Sequence, residues 1–214
     1  MGPAVRGSVM SHVLFLGAGG SVTLPDPRTI MIDRRDGGQL VVYPPRPVWD
    51  RTALDASELT QWNLLVAATA AAMLDTLPQL RDGCVNYWDA GNWALNADAL
   101  PEGQKTGPTH RVLHQHLVGR SPVSTDPSWA WGESPFFPRF SDRFAWSEGK
   151  APFTAAECAA LVARLSQVLV ERYGVLDAAT GAASVCARCG YPTPAGDLDP
   201  GTSACPGCVA GGTE

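Results

Sequence analysis

Three of the chain's four histidines fall within seven residues, in the stretch His110-Arg-Val-Leu-His-Gln-His-Leu-Val-Gly-Arg120. Imidazole changes charge near neutral pH and can act as nucleophile, proton carrier or metal ligand. Alternate residues of a β-strand share a face, so a strand here puts His110, Val112, His114 and His116 on one side. Leu113 and Leu117 then go to the other. Such a strand buries its leucines and lines a cleft with imidazoles, an arrangement suited to an anionic substrate. Two plainer readings stay open at this point, a chance cluster on a solvated strand and a metal site.

A second group of chemistry-bearing residues lies near the C-terminus. Cys186-Ala-Arg-Cys189 and Cys205-Pro-Gly-Cys208 are separated by fifteen residues, a spacing expected of a structural zinc site. Four thiolates complete a tetrahedral Zn²⁺ and leave no open position, so the metal is structural and takes no part in catalysis. A segment this short and this poor in apolar side chains needs the ion to fold. The competing reading, a redox or disulfide pair, calls for an oxidising compartment or a surrounding βαβ pattern, and the sequence suggests neither. Residues 175–214 carry one Arg against Asp177, Asp197, Asp199 and Glu214. That balance argues against a grip on nucleic acid and for a structural module or a docking site for a protein partner.

The elements that must position these groups are legible in outline. Leu14-Phe-Leu-Gly-Ala-Gly-Gly-Ser21 reads as a short strand and turn, because Pro25 and Pro27 deny it the helix a dinucleotide loop requires. Thr29–Asp33 and Gln39–Tyr43 flank an Asp-Gly-Gly turn and predict a hairpin, ended by Pro44, Pro45 and Pro47. Asp55-Ala-Ser-Glu58 has the pattern of a capping box. The apolar stripe Leu59, Trp62, Val66, Thr69, Met73 and Leu77 behind it predicts a helix of five to six turns, stopped by Pro78. A broken strand is expected from Cys84, followed by a loop over residues 97–108 that shapes a pocket mouth. The aromatic run from Asp126 to Trp146, interrupted by prolines, reads as a rigid wrap over the sheet, either closing a core or stacking a nucleobase. Thr154-Ala-Ala-Glu157 caps a second helix, which stops at Gly174.

The whole is bounded by its totals. An apolar content of 45%, charged residues at 17% and 214 residues describe one folded domain with a small appendage. A net charge of −5 argues against a surface made to coat nucleic acid or an anionic membrane. No apolar run reaches the roughly 20 residues of a membrane span. The N-terminal stretch does not read as a signal peptide, so a cytoplasmic location with reduced thiols is expected.

The segment Val112-Leu-His114-Gln-His116-Leu-Val118-Gly119-Arg120 resembles the active strand of the histidine triad (HIT) superfamily, His-φ-His-φ-His-φ-φ with φ apolar, commonly followed by Gly and Arg. The family's nucleophile falls on His114 and its last triad histidine on His116. Val112 replaces the first histidine, and Gln115 stands where an apolar residue is usual. The family's entry hairpin resembles residues 29–47, with Gln39 and Pro47 at two histidine positions. The resemblance implies an α+β fold, a HIT-like antiparallel sheet with a long packed helix, to which the zinc ribbon is added. The divisions are then 1–28, an N-terminal tail and first strand; 29–175, the HIT-like domain with its aromatic-rich extension and C-terminal helix; and 176–214, the ribbon. It further implies nucleotidyl chemistry on a nucleotide or nucleotidylated small molecule without a catalytic metal. Hydrolysis of a dinucleoside polyphosphate or nucleoside phosphoramidate is the first reading; nucleotidyl transfer and non-catalytic nucleotide binding are the alternatives. In these terms Asn96 and Thr109 orient phosphate and leaving group, and His110 and Gln39 contact substrate. Such proteins commonly pair as homodimers, at an interface that the Trp-rich extension is long enough to block.

Overall fold

The computed structural model describes residues 13–26, 28–89, 91–175, 183–185, 187, 192–194 and 199–204. Its frame is a five-stranded antiparallel sheet in the order β1-β2-β3-β5-β4, built from β1 (Val13–Gly17), β2 (Gly20–Thr23), β3 (Gln39–Tyr43), β4 (Cys84–Trp88) and β5 (Gln115–Arg120). The histidine strand lies between β3 and β4. Val41 and Trp88 both stand opposite His116, and Gln39 and Asn86 opposite Val118.

Side-chain alternation then divides the sheet. Leu40, Val42, Val85 and Leu117 face one side, with Leu113 just ahead of β5, and join the main core. That core is closed by α1 (Ala56–Thr76) and α4 (Ala155–Tyr173). Both expected capping boxes form: Asp55 and Glu58 satisfy each other's backbone N–H, as do Thr154 and Glu157. Trp62, Val66, Thr69 and Met73 are buried along α1, and Leu161, Leu165, Val168 and Leu169 along α4. Gly174 ends α4 in the left-handed region, at φ 67°, where a side chain would be strained.

The opposite face carries Gln39, Val41, His116 and Val118. A smaller cluster of Met31, Ile32, Val118 and Trp129 covers it, with Trp88 and Phe137 packed alongside. Here the structure corrects the sequence reading. Thr29–Asp33 is not a strand. The hairpin is formed earlier by β1 and β2, and β2 occupies the edge of β3 that the expected strand would have taken. Residues 13–23, read as tail and one strand, supply two strands of the sheet. Denied a ladder, residues 30–33 satisfy their buried polar groups through side chains. Ser147 Oγ donates to the Ile30 carbonyl, Trp129 Nε1 to the Met31 carbonyl, and the Ala151 N–H to Asp33 Oδ2. The aromatic wrap, which ends in a short helix α3 (Arg143–Ser147), is thereby stitched to this segment. Arg120, buried at the end of β5, donates to the carbonyls of Ala130 and Glu133 and holds the same wrap.

A separate two-stranded ribbon pairs β6 (Ala183–Val185) with β7 (Pro192–Pro194). The Ala187 N–H, between Cys186 and Cys189 in sequence, donates to the carbonyl of Ser203, two residues before Cys205. Cys186, Cys189, Cys205 and Cys208 lie outside the described residues. Among the described residues, no helix is long and apolar enough to cross a membrane.

Candidate active site

The strand that presents the histidines begins at Gln115 rather than at His110. Pro108 occupies the first turn of a short helix, α2 (Gly107–His110), where its missing N–H leaves nothing unsatisfied. His110 is therefore the last residue of a helical turn, and does not alternate with the later histidines along one strand. Residues 111–114 run extended outside the sheet, with the Leu113 N–H donating to the Val48 carbonyl. This path still turns His110, Val112, His114 and His116 into one cavity of about 510 Å³.

His114 and His116 form its floor, both half-buried. Their Nε2 atoms lie 3.2 Å apart, with ring centroids at 4.8 Å and planes at 77°. His114 Nδ1 is 2.8 Å from the Val112 carbonyl oxygen, and His116 Nδ1 is 2.9 Å from Gln39 Nε2. Tyr43 flanks the first ring and Trp88 the second, each at a centroid distance of 5.4 Å. Burial pushes the pKa of His114 below its ordinary value, and nearby Arg111 lowers it further, against the opposing pull of the Val112 carbonyl and Asp89. His116 is driven well below by burial, with His114 adding to the effect. Both rings are thus neutral at neutral pH.

The walls are aromatic. Trp88 and Phe137 lie with centroids 4.0 Å apart, and Trp93 and Tyr43 also line the space. Phe137 comes from the wrap, so that segment both closes a core, through Trp129, and supplies a wall of the cavity. Among the described lining residues there is no Asp, Glu, Lys or Arg. Thr29 and Asn92 are among the cavity's uncharged polar lining residues.

Other sequence-predicted residues stand elsewhere. Asn96 terminates a 3₁₀ turn over Asn92–Leu95, and its Oδ1 accepts from the Asp98 N–H, the role of a turn residue. It does not line the cavity; Asn92, in the same segment, does. The loop expected at the mouth is instead gathered around Lys105, whose Nζ donates to the carbonyls of Asn96, Ala99 and Gly103. Thr109 is exposed, and its hydroxyl engages Thr106 Oγ1 and His110 Nδ1, each at 2.6 Å. It reaches the site only through His110. Gln39 is buried behind His116 and is not a lining residue, so a substrate contact is replaced by a contact to the imidazole. Trp88, Phe137 and Asn92 escaped the sequence reading as individual site residues. The aromatic run gave a general signal for Phe137, and the broken strand expected from Cys84 contains Trp88; Asn92 gave none apart from the Gly-Asn-Trp turn it occupies.

Fold and site together define an α+β protein with an antiparallel sheet, a long packed helix and a pair of neutral imidazoles under an aromatic-walled cavity. No family model matches the chain, and no curated protein does. Chains of solved structures that match include a histidine triad (HIT) protein from Sinorhizobium meliloti 1021, at 16% identity over 74% of this chain and 89% of that one, TM-score 0.44. Another is a histidine triad protein from Marinobacter aquaeolei VT8, at 18% identity over 75% of this chain and 89% of that one, TM-score 0.42. At these values neither likeness carries an argument about substrate or mechanism.

Proposed function

We propose that the protein is a HIT-type nucleotide hydrolase that works through a covalent nucleotidyl-His114 intermediate. The observation that supports this best is the convergence of His114 Nε2 and His116 Nε2, 3.2 Å apart, on the floor of the aromatic-walled cavity. A carbonyl can only accept, so the 2.8 Å contact to Val112 places the His114 proton on Nδ1 and leaves Nε2 with a lone pair. In the first step that lone pair attacks the α-phosphorus. The N–P bond forms and the bond to the leaving group breaks, the leaving group departing with the electron pair. The His114 ring becomes cationic, with Nδ1–H held by the Val112 carbonyl. His116 binds a phosphoryl oxygen through Nε2–H and offsets its developing charge. Water then attacks phosphorus and gives up a proton to solvent, and the N–P bond breaks with its electron pair returning to Nε2, which restores neutral His114. The Trp88–Phe137 wall offers a stacking surface for the base.

The test is incubation with a panel of adenylylated and guanylylated compounds, followed by mass spectrometry. The expected result is a gain of one nucleoside monophosphate on His114, abolished in His114→Ala. Turnover that survives in His114→Ala removes this residue from its role. A wild type that binds nucleotide but never turns it over points to a binding protein. We further propose a structural zinc ion held by Cys186, Cys189, Cys205 and Cys208, supported by their spacing and by the hydrogen bond from Ala187, inside the first pair, to Ser203, just before the second.

A further inference from the structure

Gln39 stands where the resembling family carries a histidine, and its amide is held from two sides. The Met31 N–H, which can only donate, lies 3.1 Å from Gln39 Oε1. The oxygen must therefore face Met31, because the flipped amide would set NH₂ against N–H. That leaves Gln39 Nε2, a donor, 2.9 Å from His116 Nδ1, which must accept. The proton of neutral His116 then sits on Nε2 and points to His114 Nε2, 3.2 Å away. From the other end, the Val112 carbonyl independently makes His114 Nε2 an acceptor. Both ends of the chain demand the same assignment.

We infer that Gln39, anchored by the backbone of Met31, is a positioning residue that locks His116 as a proton donor and thereby keeps divalent metal out of the histidine pair. The separation of the two Nε2 atoms is close to the roughly 3.3 Å that two nitrogens subtend at a tetrahedral Zn²⁺. Placement alone would make a chelate. A metal at His116 Nε2 requires a bare nitrogen there, which moves the proton to Nδ1 and sets it against the Gln39 NH₂. Gln39 cannot turn to relieve this without setting NH₂ against the Met31 N–H. Because Gln39 is 2% exposed, water cannot readily repair either mismatch. An amide also neither takes up nor loses a proton, so the His116 proton stays available to a phosphoryl oxygen. The inference rests on the proposed function only in assigning His114 as the nucleophile.

The experiment is ring-nitrogen NMR of the full chain labelled with ¹⁵N-histidine, before and after Zn²⁺ addition. With four histidines in the sequence the spectrum is sparse, and His116→Asn assigns the signal. In wild type, His116 should show a protonated Nε2 and a bare Nδ1, and Zn²⁺ should leave the His114 and His116 signals in place. In Gln39→Glu, the carboxylate accepts from both Met31 N–H and His116 Nδ1–H, freeing Nε2. Zn²⁺ should then shift both rings, with affinity raised roughly 10- to 100-fold, the range carried by outer-shell partners of metal-bound histidine. A wild-type His116 protonated on Nδ1, or a wild-type pair that takes Zn²⁺ as readily as the variant, overturns the inference. The wild-type spectrum decides even where the variant fails to fold. Formation of the His114 adduct is read separately. An inactive protein with the expected tautomers refutes the hydrolase and leaves the lock standing, and an active one with the opposite tautomer does the reverse.

Discussion

His114 and His116 are half-buried groups whose neutral forms are favoured by the fold, and this fixes the sign of two pH effects. The folded state binds fewer protons than the unfolded chain below the ordinary histidine value of 6.5. The stability these groups contribute is therefore present above that value and is lost as pH falls through their depressed folded values. Urea midpoints measured from pH 8 downward should decline below about 6.5, and His116→Asn, which keeps an acceptor for Gln39 but cannot titrate, should decline less steeply. An equal slope in both proteins would mean that His116 is not the group responsible. Turnover should follow the same direction, since protonation of His114 removes its lone pair. The two substitutions are also expected to differ in size. His114→Ala should cost on the order of 10⁴-fold or more in turnover, as loss of a nucleophile does. Loss of the phosphoryl-oxygen donor in His116→Ala should cost about 10²- to 10³-fold, with adduct formation on His114 slowed but still detectable.

At the scale of elements, the parts read correctly from sequence are those whose signals are local. Both long helices carry their start signals within four residues, Asp55 to Glu58 and Thr154 to Glu157, and both boxes close. Asp55→Ala should accordingly destabilise the fold by about 1 kcal/mol, checked by thermal unfolding. The misread parts depend on partners far along the chain. Thr29–Asp33 has strand-like composition, but the edge of β3 it would pair with is occupied by β2, and nothing within residues 29–43 reports that. His110 fell in a helical turn because Pro108 presets one, a local signal outweighed by the histidine alternation. Gly119 shows how closely β5 is fitted to the turn that precedes β3. A Cβ there would lie 2.2 Å from the Gly37 carbonyl oxygen, a backbone atom that cannot rotate away. The Gly119 N–H also donates to the Gly38 carbonyl across this contact. Gly119→Ala should therefore lower stability by roughly 1–3 kcal/mol, the usual range for overpacking. It should also disturb the His116–Gln39 contact one pair away, and a wild-type melting temperature in this variant would show that the approach is looser.

Across the whole molecule, the two groups of chemistry-bearing residues are kept apart in role, and that separation is testable. The proposed zinc is held through thiolates, while the chemistry proposed for the histidine pair is proton and phosphoryl transfer without a metal. The proposed chemistry turns on His114 and His116, which share a face because an extended backbone alternates its side chains. Asn96 and Thr109, placed by counting back from the nucleophile, were not delivered to the cavity, since loop geometry does not follow sequence distance. Met31 joins the remaining pieces. Its carbonyl accepts from Trp129 and Trp146 of the wrap and from Lys150 just beyond it, and its N–H orients Gln39 behind His116. The locked His116 tautomer disfavours a metal at the histidine pair. The full chain should thus contain one zinc per molecule by elemental analysis, lost in Cys189→Ser. Stripping it with a chelator should leave the single-turnover yield of nucleotidyl-His114 unchanged. A yield that falls with the zinc and returns on adding it back would place a metal in the reaction and end the separation argued here.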